Sequence, residues 1–144
     1  MIKSDSNLFF TCSLIEFIGR RQKLERAAVV SALGEKTIRR IYKYADVLHC
    51  EPIEKTAVEF ITSCCIPVGE YDNVGKCKYL IPDYWTVGEV YERLIEDVCG
   101  EDTIKTLLEV YGSWIDRSIS NYNSDFYYQP RGYIRECYRE GRII

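Results

Sequence analysis

The amino-acid sequence predicts an all-α protein, a single compact bundle of six to seven helices in which residues 1–144 form one domain. Apolar residues recur at helical spacing along most of the chain. The most regular stripe consists of Val87, Val90, Tyr91, Leu94, Ile95 and Val98. The sequence has only four prolines and nine glycines, too few for the many tight turns of a β-sandwich. A chain of 144 residues with 47% apolar side chains can also bury a core without disulfide bonds.

The first half of the chain contains four predicted helices. Residues 7–20 are apolar on nearly every side, which indicates a central helix surrounded by the others. Residues 24–33 form a short apolar helix that ends at Gly34, and residues 35–48 carry the stripe of the next one. Pro52 begins a fourth helix, which Pro67 prevents from continuing far beyond residue 65.

The second half contains three more predicted helices. Thr86 and Glu89 form a capping box at the start of a helix that ends before Gly100. Residues 103–122 follow as the longest helix, of about twenty residues, although Gly112 lies inside it. Pro130 opens a last short helix.

Two stretches have no helical period. Residues 66–85 form an irregular aromatic loop, in which a short hairpin around residues 77–81 is an open alternative. Residues 123–130 form the second break.

The N-terminal sequence and the cysteine content favour a cytoplasmic protein. No export signal is visible, the apolar stretch 8–18 is too short to span a membrane, and seven cysteines are an odd number. We therefore expect free thiols, most of them buried as small apolar residues, in a reducing compartment. No pair of cysteines has the spacing of a zinc site, so the sequence predicts no metal and no cofactor.

The catalytic groups are few, which favours a protein that is not an enzyme. His49 is the only histidine, and none of the nucleotide-binding, zinc-protease or serine-hydrolase motifs is present.

The C-terminal part of the chain is the first candidate binding region. Six of the twelve tyrosines lie in the last 34 residues, among five arginines, and both residue types anchor protein interfaces. The candidate partner-binding residues are Asn123, Asp125, Phe126, Tyr127, Tyr128, Arg131 and Arg135. The alternative is that these rings cover the end of the bundle. A further alternative is a small effector enzyme or toxin that uses Asn123, Asp125, Tyr127 and Arg131.

A basic segment offers a nucleic-acid-binding alternative. Residues 20–43 contain eight basic and two acidic residues, whereas residues 44–110 contain fourteen acidic and five basic ones. Two short helices joined at Gly34 resemble a helix-turn-helix. The candidate phosphate-binding residues are Arg26, Lys36, Arg39, Arg40 and Lys43. The isoelectric point of about 5.3 weakens this interpretation.

Three stretches carry a resemblance to a known group of proteins. Residues 6–10, 71–79 and 122–130 resemble small uncharacterised proteins of Clostridia-type bacteria that are encoded near toxin–antitoxin-type genes. The resemblance implies a bacterial, cytosolic accessory or neutralising role and supplies no catalytic motif. The leading hypothesis is therefore a non-enzymatic interaction module that binds another protein in an antitoxin-like role. We expect no interaction with a membrane. A second copy of the chain is a further candidate partner.

Overall fold

The chain folds into helices and irregular connections. A computed structural model describes residues 5–144, and this part of the chain contains nine α-helices, one 3₁₀ turn and no β-strand. The helices are α1 (Ser6–Gln22), α2 (Arg26–Leu33), α3 (Glu35–Lys43), α4 (Ala45–Leu48), α5 (Ile53–Ser63), α6 (Tyr84–Val98), α7 (Thr103–Tyr111), α8 (Ile115–Ser120) and α9 (Arg131–Glu140), with the 3₁₀ turn at Phe126–Tyr128. The all-α prediction is confirmed.

Helix α1 is the centre of the bundle, as its apolar sequence predicts. It packs most extensively along α6 and also against α2, α3, α4 and α5. Asp5 caps its first turn by accepting a hydrogen bond from the backbone N–H of Leu8 at 3.0 Å. The core along α1 and α6 includes Leu14, Ile18 and Ile95, none of which is exposed.

The α1–α6 contact is close because Gly88 of α6 lies against Ser13 of α1. A Cβ atom at Gly88 would lie 2.9 Å from both the Cα and the backbone nitrogen of Ser13. Glycine therefore allows the two backbones to approach.

Two predicted helices are each divided in the structure, which explains why nine are present instead of six or seven. The predicted helix 35–48 is interrupted at Tyr44, between α3 and α4. The predicted helix 103–122 ends at Gly112, and α8 begins at Ile115. Between them the Ser113 hydroxyl donates to the carbonyl of Val110 at 2.7 Å and accepts from the N–H of Ile115 at 3.3 Å. This side chain satisfies backbone groups that a continuous helix would have paired.

Two local predictions are wrong, the start of α6 and the burial of most cysteines, and the open alternative of a hairpin is excluded. Helix α6 begins at Tyr84, capped by Asp83, so Thr86 lies inside its first turn and does not cap it. Residues 77–81 contain no strand, and the side chain of Asn123 holds the backbone there by accepting the N–H of Lys78. All seven cysteines are free, as predicted, but only Cys12 and Cys137 are buried.

Candidate functional site: an aromatic face where the two irregular segments meet

The two irregular segments of the chain are joined by one asparagine side chain. Asn123 accepts a hydrogen bond from the backbone N–H of Lys78 at 2.7 Å through its Oδ1 atom. Its Nδ2 group donates to the carbonyl oxygen of Lys76 at 3.1 Å. The Sγ atom of Cys77 lies 3.8 Å from the carbonyl oxygen of Tyr122 and extends this connection.

This junction presents an exposed apolar surface, here named the aromatic face, formed by Tyr79, Leu80, Tyr127 and Tyr128. Tyr79 is 69% exposed, Leu80 90% and Tyr128 66%, whereas Tyr127 is half-buried between them. These side chains surround a cavity of about 580 Å³. Its remaining lining residues are Tyr122, Asn123, Ser124 and Asp125.

Tyr127 and Tyr128 form a ridge between two cavities. They also border a second cavity of about 170 Å³, which is lined mainly by residues of α6 and α9 and not by Tyr79. The aromatic face is therefore not flat, and a partner that covers it meets two recesses.

A buried ionic network lies beneath the aromatic face. The Glu16 carboxylate, on the central helix α1, accepts two hydrogen bonds from the Arg26 guanidinium, each at 2.9 Å. Arg20 donates to the same carboxylate from Nε at 2.8 Å, and the hydroxyl of Tyr122 also donates to it. Glu16 and Arg26 are both fully buried, so the charges are compensated inside the protein without water exposure.

The electrostatics of this network keep Glu16 ionised. Burial by itself raises the pKa of the Glu16 carboxyl, but the charges and hydrogen bonds of Arg26 and Arg20, with the Tyr122 hydroxyl, lower it to about 2. Burial and the neighbouring Glu16 charge raise the pKa of Tyr122. The phenol of Tyr122 therefore stays protonated and remains a donor to Glu16.

The network also fixes the loop before α6. The Nη2 atom of Arg26 donates to Oδ1 of Asn73 at 3.1 Å, and Nδ2 of Asn73 donates to the carbonyl of Ser120 at 2.8 Å. Arg20 reaches the far end of this loop, where its Nη2 atom donates to the carbonyl of Pro82 at 2.6 Å. The loop that carries Tyr79 and Leu80 is thus tied to the core on both sides.

The predicted partner-binding residues have different surroundings. The structure brings Asp125, Tyr127 and Tyr128 to the same cavity. Phe126 is only 3% exposed and packs near the rings of Trp114 and Tyr133, so its assignment as a partner contact is wrong.

The two arginines of that prediction form ion pairs within the protein. Arg131 pairs with Asp97 at 2.8 Å and with Glu96 at 3.2 Å, which ties α9 to α6. Arg135 pairs with its neighbour Glu136 at 3.0 Å. The residues of the effector-enzyme alternative therefore have separate partners, since α6 carboxylates hold Arg131 while the amide of Asn123 is held by the loop backbone.

The basic segment is divided in the same way. Arg26 is fully buried in the network, so its assignment as a phosphate contact is wrong. Arg39 pairs with Glu35 at 2.9 Å and with Asp102 at 2.8 Å. Lys36, Arg40 and Lys43 are exposed, and their spacing of four and three residues places them on one face of α3.

Within residues 5–144, no group of three or more histidine, cysteine, aspartate or glutamate side chains is placed to hold a metal ion. None of the helices described there combines the length and the apolar character needed to cross a membrane.

Comparisons with protein-family models, with curated proteins and with solved structures gave no match to this chain.

Proposed function

We propose that the protein is a non-enzymatic helical interaction module that binds another protein through its aromatic face. The observation that carries this proposal is the meeting of two irregular segments, distant in sequence, to expose Tyr79, Leu80 and Tyr128 around one cavity. Large apolar side chains grouped at the surface and rimmed by polar groups are typical of interaction sites. Tyrosine is also among the residues that contribute most to binding at such sites.

The hydrogen bonds that hold the site in place support the same proposal. The aromatic face is carried by loop segments, which would lose conformational freedom on binding if they were mobile. Asn123, Asn73 and Arg20 hold these segments by hydrogen bonds before any partner arrives. A preorganised face of this kind binds with a smaller entropic cost.

We place this interaction in the cytosol of a bacterium, in an accessory or neutralising role like that of an antitoxin. This part of the proposal rests on the resemblance of residues 6–10, 71–79 and 122–130 to proteins encoded near toxin–antitoxin-type genes.

Co-expression with the products of the genes that flank its own tests the proposal. We expect one of these products to co-purify with the wild-type chain and to be lost from the Leu80→Asp variant. Val68→Asp is the matched control, because Val68 is 70% exposed in the same loop but does not line the cavity. Equal retention by both variants, or a chain that stays free of any partner, contradicts the proposal. Self-association that Leu80→Asp abolishes would identify the partner as a second copy.

The exposed cations of α3 favour nucleic-acid binding as a second candidate function. Lys36, Arg40 and Lys43 form no ion pair with another described residue, and they line one helix face. Binding driven by phosphate weakens steeply with salt. We expect Arg40→Glu to weaken binding to a mixed-sequence duplex in a gel-shift assay, and Lys105→Glu, on exposed α7 surface, to leave it unchanged. No salt-dependent shift of the wild-type protein would exclude this candidate.

A further inference from the structure

The walls of the larger cavity are tyrosine rings set nearly at right angles. The rings of Tyr127 and Tyr128 meet at 82° with centroids 5.0 Å apart. The rings of Tyr122 and Tyr127 meet at 78° with centroids 5.9 Å apart. Tyr79 contributes a fourth ring to the same cavity. Perpendicular rings offer a guest both faces and edges, and the faces carry the negative part of the ring quadrupole.

The charge of the cavity has one sign. Asp125 is the one ionisable carboxylate among the described residues that line it, and none of those residues is basic. Lys76 and Lys78 are exposed nearby in the chain but do not line the cavity. A carboxylate beside several aromatic faces favours a cationic group over a neutral one.

The protein already uses tyrosine rings in this way inside its own fold. The Arg20 guanidinium carbon lies over the ring of Tyr122, 5.2 Å from the centroid. The Arg26 guanidinium carbon lies 6.0 Å from the centroid of Tyr71. Both arginines also donate to the Glu16 carboxylate. Each guanidinium therefore contacts a tyrosine ring and a carboxylate at the same time.

We infer that the cavity of the aromatic face binds an arginine side chain of the protein partner, held between the rings of Tyr79, Tyr127 and Tyr128 and paired with Asp125. Arginine fits better than lysine, because a planar guanidinium stacks on a ring while its N–H groups donate to a carboxylate. This inference rests on the proposed function and names the chemistry that the partner must present.

Blocked pentapeptides with one central residue between glycines test the inference. Arginine, lysine, citrulline and norleucine versions are titrated into the intact protein, and binding is followed through the NMR signals of the tyrosine rings. Citrulline has nearly the shape of arginine without its charge. We expect the arginine peptide to bind at least tenfold more tightly than the citrulline peptide, with lysine between them.

Two variants locate the site. Asp125→Asn should weaken binding of the arginine peptide severalfold, and Tyr128→Ala should weaken it further. Val68→Ala, outside the cavity, should leave binding unchanged. Both cavity positions are exposed, so the fold should tolerate these changes.

The possible failures are distinguishable. Equal binding of arginine and citrulline, no effect of Asp125→Asn, or no binding of the arginine peptide at millimolar concentration overturns the inference. If Leu80→Asp nevertheless releases the natural partner, the proposed function stands and the cavity takes another group. If Leu80→Asp leaves that partner bound, the proposed function fails independently of the peptides.

Discussion

Glu16 is a carboxylate on the central helix α1, and its side chain is fully buried. Such a charge is tolerated only because Arg20, Arg26 and Tyr122 donate to it from three directions. Removing one partner of a buried ion pair is far more damaging than never having had the pair, since the other charge remains buried without compensation. The network therefore makes the fold dependent on Glu16.

The variant Glu16→Gln tests this dependence. It leaves the fully buried Arg26 without its carboxylate, so we expect a loss of about 3–5 kcal/mol in the free energy of unfolding, measured by urea denaturation. Glu51→Gln is the control, because Glu51 pairs with Lys55 at 3.1 Å on the surface and should leave the midpoint nearly unchanged. Adding Arg26→Met to Glu16→Gln should recover part of the loss. Similar effects of Glu16→Gln and Glu51→Gln would contradict this role of the network.

The pKa of Glu16 also makes stability depend on pH. The carboxyl has an ordinary pKa of 4.5 in the unfolded chain and about 2 in the folded protein, where the two arginines outweigh its burial. The unfolded chain therefore binds the proton more tightly, and protonation favours unfolding. The stabilisation, roughly 3 kcal/mol from this difference in pKa, is fully present above about pH 4.5 and is lost as the pH falls towards 2.

Asp116 works in the opposite direction. Burial raises its pKa although Tyr91 and the N–H of Ala27 donate to its carboxylate, so its protonation favours the folded state as the pH falls. Comparison with Glu16→Gln removes most of this contribution, since both proteins contain Asp116 and the Glu16 charge is the smallest of the causes that shift the Asp116 pKa. We expect the stability difference between wild type and Glu16→Gln to shrink from pH 6 to pH 3 in urea titrations. A difference that stays constant would show that Glu16 does not titrate as described.

The sequence could not reveal this network from its local pattern. Glu16 is visible as the one acid in an apolar helix, and that anomaly was the available signal for a buried charge. Its partner Tyr122 lies 106 positions away and Asn73 lies 47 positions from Arg26. Helical periodicity reports which side of a helix is buried and carries no information about such pairings.

At the scale of the elements, side chains at the termini determine where helices begin and end. Asp83 accepts a hydrogen bond from the N–H of Trp85 at 2.7 Å and caps α6, whereas the capping box of Thr86 and Glu89 predicted a start three residues later. The apolar period gave the correct face of this helix. Its start was missed because Tyr84 and Trp85 continue the helix into a stretch that reads as irregular.

The cap of α6 can be checked by substitution. Asp83→Ala removes the acceptor for the first turn and should cost about 1 kcal/mol of stability in thermal unfolding. Thr86→Ala, the matched change at the predicted cap, should cost clearly less, because Thr86 is exposed inside the first turn. A larger loss of stability for Thr86→Ala than for Asp83→Ala would contradict the assignment of Asp83 as the cap of α6.

At the scale of the whole molecule, Asn123 joins two segments that the sequence shows only as separate irregular stretches. Composition predicted that residues 66–85 and 123–130 were irregular and aromatic. Two of the candidate partner-binding residues, Tyr127 and Tyr128, lie on the aromatic face. Tyr79 and Leu80 were not among the predicted binding residues. Their position beside Tyr127 and Tyr128 depends on a contact across about 45 positions, which only the folded chain displays.

Asn123→Ala should disconnect the two halves of the aromatic face. Without the hydrogen bonds to Lys76 and Lys78, we expect the amide of Lys78 to exchange with deuterium at least tenfold faster, while core amides of α1 are unchanged. Asn121→Ala is the control, since the Asn121 side chain accepts the nearby N–H of Asn123 at 3.2 Å and makes no hydrogen bond to the loop of Lys76 and Lys78. Unchanged exchange at Lys78 would mean that other contacts hold the loop.

The order in which the network forms has a consequence during protein synthesis. A ribosome adds Glu16, Arg20 and Arg26 early, but Tyr122 lies 106 positions after Glu16. While Tyr122 is still inside the ribosome, the Glu16 carboxylate on the central helix lacks one of its hydrogen-bond donors. Asn73, in the loop before α6, then also lacks the carbonyl of Ser120 as an acceptor. The folded state is therefore accessible only when nearly all of the described chain has left the exit tunnel, and earlier intermediates should be targets for chaperones and proteases.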